Sequence, residues 1–249
     1  MDAGAAKHIA SLCTLEGSGA VVEIGAGTGV LTRALLEAGA RVTAVEIDPD
    51  LTELLRAQAE LAAARIVCAD ALEFDYAAAA GSKPWCAAGN LPYNIATPLV
   101  AGWLTRAPEP QRIVVMVQRD VADRFTAKPG TPSYGSLSVL VRYHALARRA
   151  FVLGPGAFYP RPRVDSAVVV LERRSEPAVG VRDREFFWQV VRAGFAYRRK
   201  TFANSIAIAL GIERARVQTA LAKHKLDAEI RAEQLDLGAF AALADELAS

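Results

Sequence analysis

Four residues, Asn90-Leu91-Pro92-Tyr93, follow the short apolar run Trp85-Cys86-Ala87-Ala88-Gly89 and precede a helix-like segment. An Asn-x-Pro-Tyr turn at a strand end suits chemistry at a planar amino group. The Asn90 side-chain carbonyl can accept one amino hydrogen and the Leu91 backbone carbonyl the other. Pro92 lacks an N–H and has a fixed φ, which stiffens the turn. Tyr93 offers a flat face on which a base can stack. Alone, the tetrapeptide is equally well an ordinary Asn-Pro turn.

A second group of residues suits a nucleoside-like ligand. Glu23-Ile24-Gly25-Ala26-Gly27-Thr28-Gly29 stands where a strand turns into a helix. Glycines let the backbone come close to a ligand, and the following helix can aim its N-terminal amides at a carboxylate. A dinucleotide fingerprint would carry Gly or Ala where Val30 stands, which disfavours a nicotinamide cofactor. Glu46, with Ile47 beside it, ends the next strand, where an acid can bind both ribose hydroxyls. Asp70, with Ala71 beside it, follows a third strand and can accept from an adenine amino group. Each acid is alternatively a helix N-cap. The candidate cofactor-binding residues are thus Glu23, Gly25, Gly27, Gly29, Glu46, Ile47, Asp70, Ala71 and Asn90.

The elements that must position these residues alternate over the first 173 residues. Strand-like runs cover Val21–Ile24, Arg41–Ile47, Ile66–Ala69, Trp85–Ala88 and Ile113–Val117. Helix-like segments cover Leu31–Glu37, Leu51–Leu61 and Pro98–Leu104. Continuous apolar strands alternating with helices indicate a parallel sheet covered on both faces. Ligands bind such sheets beyond the carboxyl ends of the strands, where the glycine loop, Glu46, Asp70 and Asn90 all fall. Ala150–Leu153 and Ala167–Leu171 are two further strands, and a tight hairpin-like return between them would give an antiparallel edge. Beyond Ser175–Val181 only helical segments follow: Glu185–Ala196, Thr201–Leu210, Arg214–Lys223 and Ala239–Leu247. The expected organisation is α/β, with a Rossmann-like domain over residues 1–175 and a small all-helical domain over 176–249. Lys128–Gly135 has the composition of an exposed, mobile loop.

The 249 residues are enough for one large or two modest cores. No apolar stretch is long enough to span a membrane, and the first residues lack the regions of a signal peptide. Cys13, Cys68 and Cys86 are widely spaced, and His8, His144 and His224 share no ligand spacing. That argues against a disulfide scaffold and a metal site, and for a reducing, cytoplasmic compartment. The net charge of +2 is unevenly distributed. No acidic residue lies between Asp123 and Asp165, a stretch with Arg124, Lys128, Arg142, Arg148, Arg149, Arg161 and Arg163. Arg198-Arg199-Lys200 forms a second basic cluster. Both are either a solvated basic face or, beside a base-binding turn, phosphate contacts to RNA.

The glycine loop, Glu46, Asp70 and Asn90 together resemble S-adenosylmethionine-dependent methyltransferases. With Asn90-Leu91-Pro92-Tyr93-Asn94-Ile95, Val117–Ala122, Tyr134–Val139, Phe158–Ser166, Phe195–Thr201 and Arg231–Leu235, the chain resembles the small-subunit ribosomal RNA adenine dimethyltransferases of the KsgA/RsmA type. The resemblance covers nearly the whole chain. It implies S-adenosyl-L-methionine as cofactor, with S-adenosyl-L-homocysteine as product. The implied substrate is two adjacent adenosines near the 3′ end of small-subunit rRNA, each dimethylated on the exocyclic nitrogen. Its setting is a partly assembled small subunit; the sequence itself does not give the oligomeric state, and a monomer is the default expectation. It assigns Asn90 and the Leu91 carbonyl to the target amino group, Tyr93 to one face of the base and Phe158 to the other. It assigns Gly25, Glu46 and Asp70 to the cofactor. The family's Gly-Gln-x-Phe-Leu segment, which precedes the Asp aligned with Asp2, is not in this sequence; the resemblance implies weaker closure of the cofactor pocket without it. A large-subunit rRNA adenine methyltransferase of the antibiotic-resistance type is the alternative within the enzymes. A non-catalytic rRNA-binding assembly factor is the alternative outside them.

Overall fold

Strands that are apolar at nearly every position need cover on both faces, and the chain folds accordingly. The computed structural model describes residues 2–15, 19–81, 84–158, 161 and 163–248. These form two compact units: Met1–Ala122 with Leu146–Arg173, and Asp123–Ala145 with Arg174–Ser249.

The first, or sheet, unit opens with α1 (Ala3–Cys13) and continues through β1 (Ala20–Ile24), α2 (Val30–Glu37), β2 (Arg41–Glu46), α3 (Pro49–Arg56) and β3 (Arg65–Cys68). Then come α4 (Tyr76–Ala80), β4 (Trp85–Asn90), α5 (Tyr93–Thr105), β5 (Arg112–Gln118), α6 (Arg119–Thr126), of which residues 119–122 belong to this unit, β6 (Ala145–Leu153) and β7 (Ser166–Arg173). The strands make a seven-stranded sheet in the order β3-β2-β1-β4-β5-β7-β6. β1, β2, β3, β4 and β5 run parallel, and β7 is antiparallel to β5. All five residues of β1 are buried, as are the middle five of β5. Ile9, Leu31, Leu35, Leu55 and Leu61 from the flanking helices pack into a core with Val21, Val42 and Val114.

Local signals explain the helix starts. Asp2 accepts from the Ala5 N–H at 3.1 Å, and Asp48 caps α3 ahead of Pro49 at its first turn. Both satisfy amides that a helix N-terminus otherwise leaves unpaired. α5 starts five residues before the expected Pro98, because Ile95 and Ala96 already donate to the Pro92 carbonyl; Pro98 is accommodated inside the helix.

The second, helical, unit holds α7 (Ser136–His144), α8 (Arg184–Ala196), α9 (Phe202–Leu210), α10 (Arg214–Lys223) and α11 (Leu237–Leu247). Asp183, Thr201 and Asp236 cap α8, α9 and α11. Phe187, Val190, Phe202, Phe240 and Leu243 are buried together in its core.

Three expectations are revised. The strands β6 and β7 are neighbours at one edge of the sheet, with β7 antiparallel to β5, so the expected antiparallel edge is present, but residues 154–165 join them rather than a tight turn. Seven residues of β7 register along β5, from Glu172 opposite Arg112 to Ser166 opposite Gln118, so a long-range ladder rather than a short turn sets the place of β7. The expected single division at residue 175 differs from the observed units, since Asp123–Ala145 groups with the C-terminal helices. Tyr134, Val139 and Tyr143 explain this, being buried in the helical core. Lys128–Gly135 is correspondingly pinned: the Gly130 N–H donates to the Glu233 carbonyl at 2.7 Å, and that of Tyr134 to Thr131 at 3.0 Å.

Candidate active site

Parallel β1, β2 and β4 end at one edge of the sheet, with Ile24 paired to Val45 and to Gly89. Beyond those ends the glycine loop turns into α2. Gly29, at φ 82°, caps α2 without a side-chain hydrogen bond; in the first turn the Thr32 backbone bonds Glu23, which leaves the Val30 and Leu31 amides for an anion. An alanine Cβ there would also lie 2.6 Å from Leu61 Cδ1 and 2.9 Å from Leu55 Cδ2. At Gly89 a Cβ would run into the Ile24 carbonyl oxygen. Only glycine lets β4 lie this close to the start of the loop.

The loop is held by two acids from different sides. Glu46 is 7% exposed. Its Oε2 accepts from the Gly27 N–H at 2.8 Å, and its Oε1 accepts from those of Ile47 at 2.9 Å and Asp48 at 3.1 Å. One charge-assisted bond thus ties the loop to the end of β2, and two more fix the Glu46 carboxylate to the turn that follows it. Glu23 is 1% exposed, and its Oε2 accepts from Thr32 Oγ1 at 2.6 Å. The structure places Glu23 beneath the loop, so it meets α2 rather than the open edge. Burial, reinforced by the nearby Glu46 charge, pushes its carboxyl up to about 7 against the opposing bond from Thr32. Thr32 was not foreseen; nothing in its local spacing marks it, and only the fold brings it to Glu23.

Asp70 is exposed beyond β3, and its Oδ1 accepts from the Leu72 N–H at 2.8 Å. This Asx-turn orients the carboxylate. Ala71 is buried, its carbonyl accepting from the Tyr76 hydroxyl at 2.8 Å. Ile47 is 65% exposed, an apolar side chain left at the same edge as Glu46.

Asn90 ends β4, and its exposed carboxamide has no hydrogen-bond partner among the described residues. Its backbone carbonyl faces Gly25, where a Cβ would lie 3.6 Å from it. The Leu91 N–H donates to the Met116 carbonyl at 3.0 Å, and the Leu91 side chain is buried. The turn is therefore anchored on β5 and in the core, which fixes where the Leu91 carbonyl points. Pro92, at φ −59°, leads into α5. The Tyr93 side chain lies outside the described residues, as do Tyr159, Pro160 and Pro162 of the Phe158–Ser166 motif. Phe158 is half-buried against the core of the sheet unit.

The basic residues divide between the units. Arg148, Arg149, Arg161 and Arg163 are exposed on the sheet unit, and Arg124, Lys128, Arg198, Arg199 and Lys200 on the helical unit. Arg142 is half-buried in α7.

Comparison with known proteins agrees with this architecture. The family described as ribosomal RNA adenine dimethylase matches residues 2–249. The ribosomal RNA small subunit methyltransferase A of Pseudomonas aeruginosa is 40% identical over 99% of this chain and 91% of its own. That of Geobacter sulfurreducens is 38% identical over 97% of this chain and 90% of its own. The crystal structure of the 23S rRNA methyltransferase ErmE aligns with a TM-score of 0.78 at 26% identity, covering 100% of this chain and 99% of its own. A dimethyladenosine transferase from Plasmodium falciparum has the same fold, with a TM-score of 0.75 at 22% identity, over 96% of this chain and 94% of its own. The fold is that of the class I S-adenosylmethionine-dependent methyltransferases, and the chain belongs to the ribosomal RNA adenine dimethylase family.

Proposed function

We propose that this enzyme dimethylates the exocyclic nitrogen of two adjacent adenosines near the 3′ end of small-subunit rRNA, within a partly assembled small subunit. The observation that carries the reading is the Asn90 carboxamide, exposed and without a partner among the described residues at the carboxyl edge of the sheet. A buried or engaged amide could not hold an incoming base. The 40% identity to small-subunit relatives, against 26% to the 23S rRNA methyltransferase, favours the small-subunit substrate over the large. Free thiols at Cys13, Cys68 and Cys86 suit a reducing cytoplasm.

The edge fits S-adenosylmethionine by its donor set. The α2 amides suit the carboxylate of the cofactor. Glu46 spends one acceptor position on the loop and two on the Ile47 and Asp48 amides, and a carboxylate has about four, which leaves room for a ribose hydroxyl. Asp70 suits the adenine amino group, Ala71 lies beside it, and Ile47 gives the ring an apolar surface. When bound, the cofactor supplies a methyl group already made electrophilic by its sulfonium.

The protein's own task is then to position and desolvate. Asn90 and the Leu91 carbonyl each accept one hydrogen of the target amino group. That draws the nitrogen toward tetrahedral geometry and turns its lone pair toward the methyl carbon. Held by the α2 amides, Glu46 and Asp70, the cofactor would supply the methyl to this nitrogen, the electrons of its bond to sulfur remaining with the sulfur. The nitrogen then loses its now acidic proton, and no strong base is needed. Proximity and preorganised dipoles provide the acceleration. Tyr93 and Phe158 stack on the base, offsetting the cost of taking it from its own stack.

The test is methyl transfer from labelled S-adenosylmethionine to small subunits lacking the modification, with large subunits in parallel. Digestion should yield dimethyladenosine from small-subunit rRNA. Label confined to large-subunit rRNA, or no label in either, would overturn the reading.

A further inference from the structure

A cavity of about 230 Å³ is lined by α4, α5 and the segments beside them, all within the sheet unit. Its walls are mostly apolar and aromatic: Phe74, Tyr76 and Trp103, with Leu72, Pro98 and Leu99. The rings are fixed against one another. Phe74 meets Tyr76 edge-on at 5.1 Å, and Tyr76 meets Trp103 edge-on at 5.9 Å. Trp103 and Leu99 are buried, whereas Leu72 is 46% exposed. Gly102, inside α5, also lines the cavity, and a Cβ built there would meet nothing within 4 Å. The bare helix backbone therefore leaves space against which a flat ring can lie. An apolar cavity of roughly 150 Å³ holds a benzene ring, so the larger volume here suits a bicyclic one. Apolar and aromatic walls with a few polar groups are the usual make-up of a small-molecule site.

Two charged side chains stand in the lining, Asp75 and Arg106. Asp75 is engaged in capping α4, its Oδ1 accepting from the Ala78 N–H at 3.1 Å. Arg106, just past the end of α5, is exposed and forms no ion pair among the described residues. The charge left to pair with a ligand is thus a guanidinium, which suits a carboxylate. The same walls reach the cofactor edge. The Tyr76 hydroxyl donates to the Ala71 carbonyl at 2.8 Å, and the Leu72 N–H donates to Asp70 Oδ1 at 2.8 Å. A ring packed on Tyr76 and Leu72 would hold both bonds that shape the Asp70–Ala71 turn.

We propose that this cavity is a second small-molecule site, which takes a planar aromatic carboxylate and, when filled, tightens S-adenosylmethionine binding. The ring lies among Phe74, Trp103 and the Gly102 backbone, and the carboxylate pairs with Arg106. Occupancy steadies the turn that carries Asp70, so the cofactor no longer bears the cost of ordering it. By linkage the cofactor tightens the aromatic ligand by the same factor. The coupling rests on the cofactor reading above; the site itself does not.

The test is calorimetric titration of the full-length protein with indole-3-propionate and, in parallel, with its neutral amide. The acid should bind about three- to fivefold tighter than the amide, as expected for an exposed ion pair, and Arg106→Gln should remove that difference. Gly102→Leu puts a side chain into the open space and favours the helix. It should weaken both probes about tenfold or more by filling the cavity, with a melting temperature at or above the parental value. Equal affinity for acid and amide in the parent would overturn the carboxylate assignment. No binding of either probe, or undiminished binding to Gly102→Leu, would overturn the site. With the acid saturating, S-adenosylmethionine should bind about fivefold tighter, and an unchanged affinity would overturn the coupling. A protein that binds the probe but no S-adenosylmethionine would sink the cofactor reading and the coupling with it, while the site stands.

Discussion

Glu23 and Glu46 of the sheet unit are buried and bonded, whereas Arg198, Arg199 and Lys200 of the helical unit stand exposed with no ion pair among the described residues. Buried charges have their geometry set by the fold and are little screened by salt. Exposed charges are free to meet a polyanion but are strongly screened. On the proposed reading, the first region serves precision at a small ligand and a reacting nitrogen, and the second serves attraction to a large, repeatedly charged partner. Changes in the first should alter chemistry, stability and cofactor affinity at any salt concentration. Changes in the second should alter RNA affinity in a salt-dependent way.

The sharpest break is at Asn90. Asn90→Ala should lower single-turnover methyl transfer by ~10²-fold or more, as expected for one preorganised hydrogen-bonding group, with RNA affinity barely changed. Near-parental transfer would remove Asn90 from its role.

Glu23 tests the cost of a buried acid. Its carboxyl rises from the ordinary 4.5 to about 7 on folding, so the native state binds more protons than the unfolded chain between those values. Stability should therefore fall as pH rises from 4.5 through 7, by up to about 3 kcal/mol. Glu23→Gln keeps an acceptor for Thr32 and cannot ionise. Urea unfolding at pH 5 and pH 8 should show the loss in the parent and not in the variant. Equal pH dependence in both would mean that Glu23 does not carry the shift.

Glu46 and Asp70 separate ligand binding from loop support. Glu46→Ala and Asp70→Ala should each weaken S-adenosylmethionine binding by ~1.5–3 kcal/mol, read by calorimetry. Only Glu46→Ala should also lower the melting temperature clearly, because it frees three part-buried amides while Asp70 supports one exposed turn. Unchanged cofactor affinity in both variants would reduce the acids to structural groups.

The smallest effect is expected at the basic surface. Reversing Arg198 and Arg199 to glutamate should weaken small-subunit binding and lower its salt slope by about one per lost phosphate contact. Cofactor affinity should not move. Parental slopes would mean that these side chains are merely solvated.

Much of this molecule is legible in one dimension. Apolar runs ending in glycines, acids or asparagine, each followed by a helical segment, were enough to infer the parallel sheet and the edge holding Gly25, Glu46, Asp70 and Asn90. Those signals are short-range: periodicity, turn chemistry and the residue that ends a strand. The three-dimensional fold decided the rest. Glu23 and Glu46 look alike in sequence as acids near a strand's end, yet one lies beneath the loop bonded to Thr32 and the other clamps it through Gly27. The insertion of β7 between β5 and β6 depends on a long-range ladder. Asp123–Ala145 joins the helical unit through buried residues such as Tyr134 and Tyr143. Arg106 lines one cavity with Leu72 and Phe74 only because distant segments pack together. Local spacing sets which elements form, but desolvation and convergence of side chains depend on residues far apart along the chain.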